Sequence, residues 1–288
     1  MKVKKPKILF YDIETTLLLS HHFSLGKQHM NHKQLLKGYF NRTHIICITY
    51  KFSDERKAGI LTWGESQEDE IAMIKEFDKL VNKADIIIGK NSNRFDNKHM
   101  NTQRLWYDLD GMSDFAYKCD DLEVQMRKYF YLPSYSLDYL SETLGLGGKN
   151  TMCLQDWIDI NYYRMYQLND MTKASQRLLE FLTNVPADEI IKRGKAALKK
   201  MFVYGKKDAV DTERLWKRCV KQFTPKHNMN TFINDSEIRC IRCGSNNVHK
   251  NGTAANGKTR YQRYRCSDCR GYAGRASISK SGKVGKIG

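Results

Sequence analysis

The regular pattern of the chain begins with Ile8-Leu9-Phe10-Tyr11, an unbroken apolar run, followed by Asp12-Ile13-Glu14-Thr15-Thr16. Such a run reads as a strand covered on both faces. Ile45–Phe52 (IICITYKF) and Gly59–Trp63 (GILTW) flank the polar turn SDERK and predict a hairpin, so the sheet starts antiparallel. Over Glu68–Val81, Ile71, Ile74, Phe77 and Leu80 recur at helical spacing and predict one amphipathic helix. Asp85–Gly89 (DIIIG) is a second buried strand. It runs into the polar loop Lys90–Asp96, which turns into a helix. Tyr135–Leu140 starts a helix with Ser134 or Ser136 as its cap and the glycines near Gly145–Gly148 as its end. From about 150 to 200 the pattern is helical but irregular, with Pro186 opening a new helix. A long helix follows from about Arg193 to Val220. Residues 225–237 read as a linker, and Ser277–Gly288, mostly Ser, Gly and Lys, as a disordered tail.

Composition adds the partner class. The chain of 288 residues has 41% apolar residues, enough for a packed core, and a formal charge of +17. Residues 225–288 hold 13 Lys or Arg against 3 Asp or Glu, so +10 of that charge sits in the last fifth or so of the chain. A balance of this kind favours a polyanion, most often nucleic acid and less often an anionic membrane surface. No apolar run is long enough to cross a bilayer, and the opening MKVKKPK leads into Asp12 and Glu14 rather than a signal-peptide core. The expected location is cytoplasmic, where thiols stay reduced. Cys47, Cys119, Cys153 and Cys219 are scattered and read as inert thiols. His21, His22, His29 and His32 are spaced loosely in a polar loop and read as solvated.

Candidate chemistry starts at Asp12 and Glu14. Two residues apart on a strand, they share a face, where they repel each other and resist desolvation. A divalent metal would relieve this, as would water or a Lys or Arg partner. Asp96 either repeats the design of a strand ending at a carboxylate or caps the following helix. Tyr204 and Asp208, four apart, share one helix face, a pairing that also arises by chance. Cys240-x-x-Cys243 and Cys266-x-x-Cys269 have the ligand spacing of a four-thiolate zinc site.

In order along the chain, YDIETT, IIIGKNSNRFD, SYSLDYL and YGKKDAVDTERL resemble the DEDD superfamily of 3′→5′ exonucleases. They are most similar to its DEDDy branch, which includes the proofreading domains of family-B DNA polymerases. The resemblance covers roughly residues 5–220. It implies an α/β, ribonuclease H-like fold, a mixed sheet flanked by helices, over residues 1–224 with a helical insertion at about 150–200. No His lies between His99 and His227, so a histidine-type third motif is excluded. The implied chemistry is hydrolysis of phosphodiester bonds at DNA 3′ ends, single strands foremost, with two Mg2+ or Mn2+ ions. Asp12 would bridge the ions, Glu14 and Asp208 would hold the water-activating one, and Asp96 the second. Tyr204 would orient the attacking water, since a phenol near pKa 10 is a poor base at neutral pH. Asp211 is the rival of Asp208 for the last position. Asn91 and Lys90 would contact substrate; relatives often carry His in place of Lys90. Phe95 would wedge or stack on a base, or else belong to the core. No polymerase or helicase region follows, so a free-standing nuclease is expected. The alternatives are an exoribonuclease of the same fold and a non-catalytic nucleic-acid-binding or recruitment protein.

The second domain, 238–275, resembles the zinc ribbons at the ends of some transposases and phage proteins, which points to a viral or mobile-element setting. One structural Zn2+ would largely hold so short a segment together. Arg260–Arg265 (RYQRYR) alternates base and aromatic on a predicted strand. Arg263, Arg265, Tyr261 and Tyr264 are the expected nucleic-acid contacts. The competing expectation is a docking surface for a replication or recombination protein.

Overall fold

A computed structural model describes residues 6–18, 20, 32–35, 41–64, 66, 68–111, 117–147, 151–168, 184–232, 237–279 and 281–287. His21, His22 and His29 lie outside these. Strands β1 (Ile8–Thr15), β2 (Ile45–Phe52), β3 (Gly59–Thr62), β4 (Ile86–Gly89) and β5 (Cys119–Asp121) form one sheet, ordered β3-β2-β1-β4-β5. β2 runs antiparallel to β1 and β3, while β4 runs parallel to β1 and β5. Helices α1 (Glu68–Lys83), α2 (Asp96–Trp106), α3 (Leu122–Tyr129), α4 (Leu137–Thr143), α5 (Leu154–Gln167) and α6 (Ala187–Cys219) flank it. This is the expected ribonuclease H-like mixed α/β arrangement.

The alternation along β1 assigns its two faces. Leu9, Tyr11 and Ile13 pack with Ile74, Phe77 and Val81 of α1. Ile8 and Phe10 pack with Ile86 and Ile88, with Leu122 of α3 and Leu140 of α4, and with Leu215 and Trp216 of α6. Burying a side chain such as Phe10 or Phe77 contributes about 1.5–3 kcal/mol. Asp12 and Glu14 continue the face of Ile8 and Phe10.

The described parts of the 150–200 stretch, 151–168 and 184–200, are mostly helical. α5 packs Ile160 against Ile46 and Cys47 of β2, beside Ala197 and Met201 of α6. Arg164 of α5 is fully buried and donates to the carbonyls of Gly64 at 2.6 Å and Ser66 at 3.0 Å and to Glu70 at 3.2 Å. Glu70 also accepts from the Tyr107 hydroxyl at 2.6 Å and lies 2.8 Å from His44 Nδ1. Removing one partner from such a buried ion pair costs about 3–5 kcal/mol.

Three expected boundaries shift. Pro186 is the N-cap of α6, so the helix it opens and the helix expected from Arg193 are one element. The described part of the expected linker, 225–232, is packed: Met229, in a 3-10 turn over Met229–Phe232, is buried against the Phe10 side of the core, and its N–H donates to the Ile241 carbonyl at 2.9 Å. The expected disordered tail instead forms an edge strand. β6 (Val248–Asn256), β7 (Thr259–Cys266), β8 (Tyr272–Ile278) and β9 (Val284–Ile287) make an antiparallel meander in chain order. Backbone pairing with β8 holds β9 without requiring apolar side chains, which is why composition misled there.

Candidate active site

β1 pairs with β4 only through Ile8–Phe10 and with β2 along almost all of its length. Asp12 and Glu14 therefore stand beyond the carboxyl end of β4, where β1 has lost one neighbour, and both are half-buried. Ligands in open α/β sheets gather at such carboxyl ends. α6 runs back over this face, with Trp216 edge-on to Phe10 at 5.9 Å between centroids. Asp208 lies eight residues before Trp216, about 12 Å along a helix. Glu14 lies four residues past Phe10, about 13 Å along a strand. Helix and strand thus carry Asp208 and Glu14 to the same level.

The contact of α6 with the sheet is close because residue 205 is glycine. A Cβ there would meet Thr49 Cγ2 at 2.7 Å. The Thr49 hydroxyl donates to the Gly205 carbonyl at 2.9 Å and lies 3.3 Å from that of Asp12, which links the first and third motifs. Asp96 is buried at the first position of α2, and its Oδ1 accepts from the Ile13 N–H at 3.0 Å. It does not cap its own helix, whose N-cap Phe95 makes no side-chain cap bond.

The electrostatics follow from this crowding. Burial, then the charges of Asp96, Glu14 and Asp208, push Asp12 well above the ordinary carboxylate range, with Lys90 opposing. Burial, Asp208 and Asp96 raise Glu14 to about 8. Burial raises Asp96 to about 7 against the bonds it accepts from its own and the Ile13 N–H. Asp208 is raised to about 7 by burial, although Tyr204 and Lys207 favour its charged form. Tyr204 is driven well above its ordinary value by burial and then by Asp208, Glu14 and Asp12. Asp12, Glu14, Asp96, Tyr204 and Asp208 thus lie near enough to act on one another electrostatically. Asp211 is buried between Lys207 and Arg214, both paired to it.

The loop after β4 is held by a residue that carries no mark in the linear order. Asp121 accepts from the N–H of Asn91 at 3.0 Å, of Asn93 at 2.9 Å and of Glu123 at 2.8 Å. It fixes Asn91 in the left-handed region, at φ 59°. Its strand, β5, is too short to leave a periodic signal. Asp138 faces Tyr204 and Asp208 from the first turn of α4, where it reads as an ordinary helix-start acid. Lys90 is paired with Glu123 at 2.9 Å and reaches Asp12 and Asp96 only through its field. Phe95 is 40% exposed, its ring 4.5 Å from that of His99, so it is not core.

In the C-terminal cysteine cluster, Cys240 Sγ lies 3.7 Å from Cys269 Sγ, and Cys243 Sγ 3.7 Å from Cys266 Sγ. All of these sulfurs fall within 4.8 Å of one another. A tetrahedron with metal–sulfur bonds of about 2.3 Å has edges of about 3.8 Å. The four thiols therefore fit one tetrahedral ion. Asp12, Glu14, Asp96 and Asp208 do not meet that spacing: among the described residues the four cysteines are the one such group of His, Cys, Asp or Glu side chains.

Tyr264 is corrected. It is 4% exposed and packs with Cys240, Cys266, Ala273 and Ala276. Alternation along β7 turns Gln262, Tyr264 and Cys266 inward and leaves Tyr261, Arg263 and Arg265 on the outer face.

No family model matches the chain, and no curated protein does. Among solved structures it is similar to the family B DNA polymerase from the hyperthermophilic archaeon Pyrobaculum calidifontis. The identity is 15% over 76% of this chain and 26% of that one, with a TM-score of 0.47. The chain spans about a quarter of the length of that polymerase.

Proposed function

We propose that the α/β domain is a metal-dependent 3′→5′ exonuclease acting on single-stranded DNA ends. The observation that carries this reading is the meeting of Asp12, Glu14, Asp96 and Asp208, from β1, α2 and α6, beside Tyr204 where β4 ends. The polarity comes from the resemblance of the motifs. The donor set fits hard divalent cations such as magnesium or manganese, because it consists of carboxylate oxygens, with Asp12, Glu14 and Asp208 half-buried and Asp96 buried. Asp12 would be shared between two ions, with Glu14 and Asp208 on one and Asp96 toward the other. Bound divalent ions supply Lewis acidity and make water a nucleophile at neutral pH.

The protein's own groups do the rest. Tyr204, held protonated, offers a hydroxyl that orients the attacking water and takes no proton from it. Lys90, anchored by Glu123, offsets part of the negative charge near Asp12 and Asp96. Phe95, exposed and next to Asp96 in the chain, would offer a ring to the terminal base. The second domain would be held by one structural zinc on Cys240, Cys243, Cys266 and Cys269, with a packed connection at 225–232 and its sheet running to Ile287.

The test is digestion of 5′-labelled DNA and RNA single strands with magnesium. Progressive shortening of the DNA from its 3′ end, lost in Asp12→Asn and Asp208→Asn, is expected. Internal cuts, shortening from the 5′ end, or an Asp12→Asn protein as active as the parent would refute the reading. Preferential digestion of RNA would transfer it to an exoribonuclease.

A further inference from the structure

We propose that the outer face of β7 and β8 is a second nucleic-acid site, which grips the phosphate backbone between Arg263 and Arg275. The two arginines are directly opposite each other in the antiparallel pairing, as are Arg265 and Tyr272. Like charges in register across a sheet repel, and a free-standing fold gains nothing from them. Among the described residues no carboxylate lies within ion-pair distance of Arg263, Arg265 or Arg275, and all three are exposed. An arrangement that is unfavourable alone becomes favourable when an anion sits between the two guanidiniums.

The aromatic groups name the anion. Tyr261 lies on the same face under Arg275, 4.3 Å from its guanidinium to the ring centroid, and Tyr272 is 36% exposed beside Arg265. Arginines interleaved with rings suit a strand of phosphates carrying flat bases, where an acidic peptide would use the charges alone. The face is separate from the thiol cluster, because Tyr264, Cys266, Ala273 and Ala276 turn to the other side.

The full chain, with its zinc and no added magnesium or manganese, is titrated with a fluorescent oligothymidylate at about 50 to 200 mM salt. Hydrolysis is not read, so the result is independent of whether the carboxylate site cuts. Two lost phosphate contacts on a single strand should lower the slope of log affinity against log salt by about 1.4. That drop is expected for Arg263→Gln/Arg275→Gln. It is not expected for Lys258→Gln/Arg260→Gln, which removes the same charge from the adjacent turn and the opposite side of β7. Zinc content checks folding. Should the first pair release zinc, Arg265→Gln is read instead, with a drop of about 0.7. An unchanged slope, equal drops in both double variants, or a parent whose binding ignores salt would overturn the proposal.

Discussion

Glu14→Gln should stabilise the metal-free protein while removing its activity. Burial, with Asp208 and Asp96, holds the Glu14 carboxyl at about 8 against an ordinary value of 4.5. The unfolded chain has the ordinary value. Between those two values the folded protein carries a proton that the unfolded chain lacks, so stability falls as pH rises across the window. At pH 7 this one group opposes folding by about 3 kcal/mol. An amide at the same position is neutral but leaves part of its hydrogen bonding unmet, at about 1 kcal/mol, so the net gain is about 2 kcal/mol. Trp63, Trp106, Trp157 and Trp216 all precede the cysteine cluster in the chain, and tryptophan fluorescence during urea unfolding follows the part that carries Glu14. In zinc-replete, magnesium-free buffer, Glu14→Gln should be more stable than the parent at pH 8, with the gap closing toward pH 5. Magnesium should then stabilise the parent more than the variant, because an ion bound only by the folded state adds to its stability. A variant less stable than the parent at pH 8, or a gap that stays flat with pH, would refute the account of a frustrated carboxylate cluster.

Gly205→Ala should push α6 from β2 against Thr49, costing about 1–3 kcal/mol and at least tenfold in DNA digestion, read by urea midpoint and rate together. Asp121→Asn keeps one acceptor oxygen for the Asn91 N–H and the start of α3 but turns the oxygen that accepts from the Asn93 N–H into an amide donor. A loss of about 1–3 kcal/mol is expected, with a rise in KM for single-stranded DNA if the loop meets substrate. Tyr264→Ala should open the small core around Cys240 and Cys266 and release zinc to a colorimetric chelator, whereas Tyr264→Phe should retain it.

Much of this protein was legible in its linear order. Apolar runs ending at Asp12 and Gly89, the hairpin around SDERK and the stripe of Ile71, Ile74, Phe77 and Leu80 are short-range signals, and each corresponds to an element. The two C-x-x-C pairs are equally local, since each brings its two thiols together within one turn. Long-range placement was not legible. Whether Tyr204 and Asp208 formed a chance pair depended on the helix lying over β1, and that rests on Gly205 meeting Thr49, 156 residues away in sequence. Asp121, Asp138 and Arg275 carry no local mark, because their neighbours come from other elements. Tyr264 and Tyr261 look alike in RYQRYR, and pleat parity against a core of small residues divided them. The tail shows the same limit: Ser, Gly and Lys bury almost nothing apolar, but an open strand edge can still pair their backbone. Sequence specifies what each segment prefers by itself, whereas contacts between distant segments are decided by shape and charge when the elements pack.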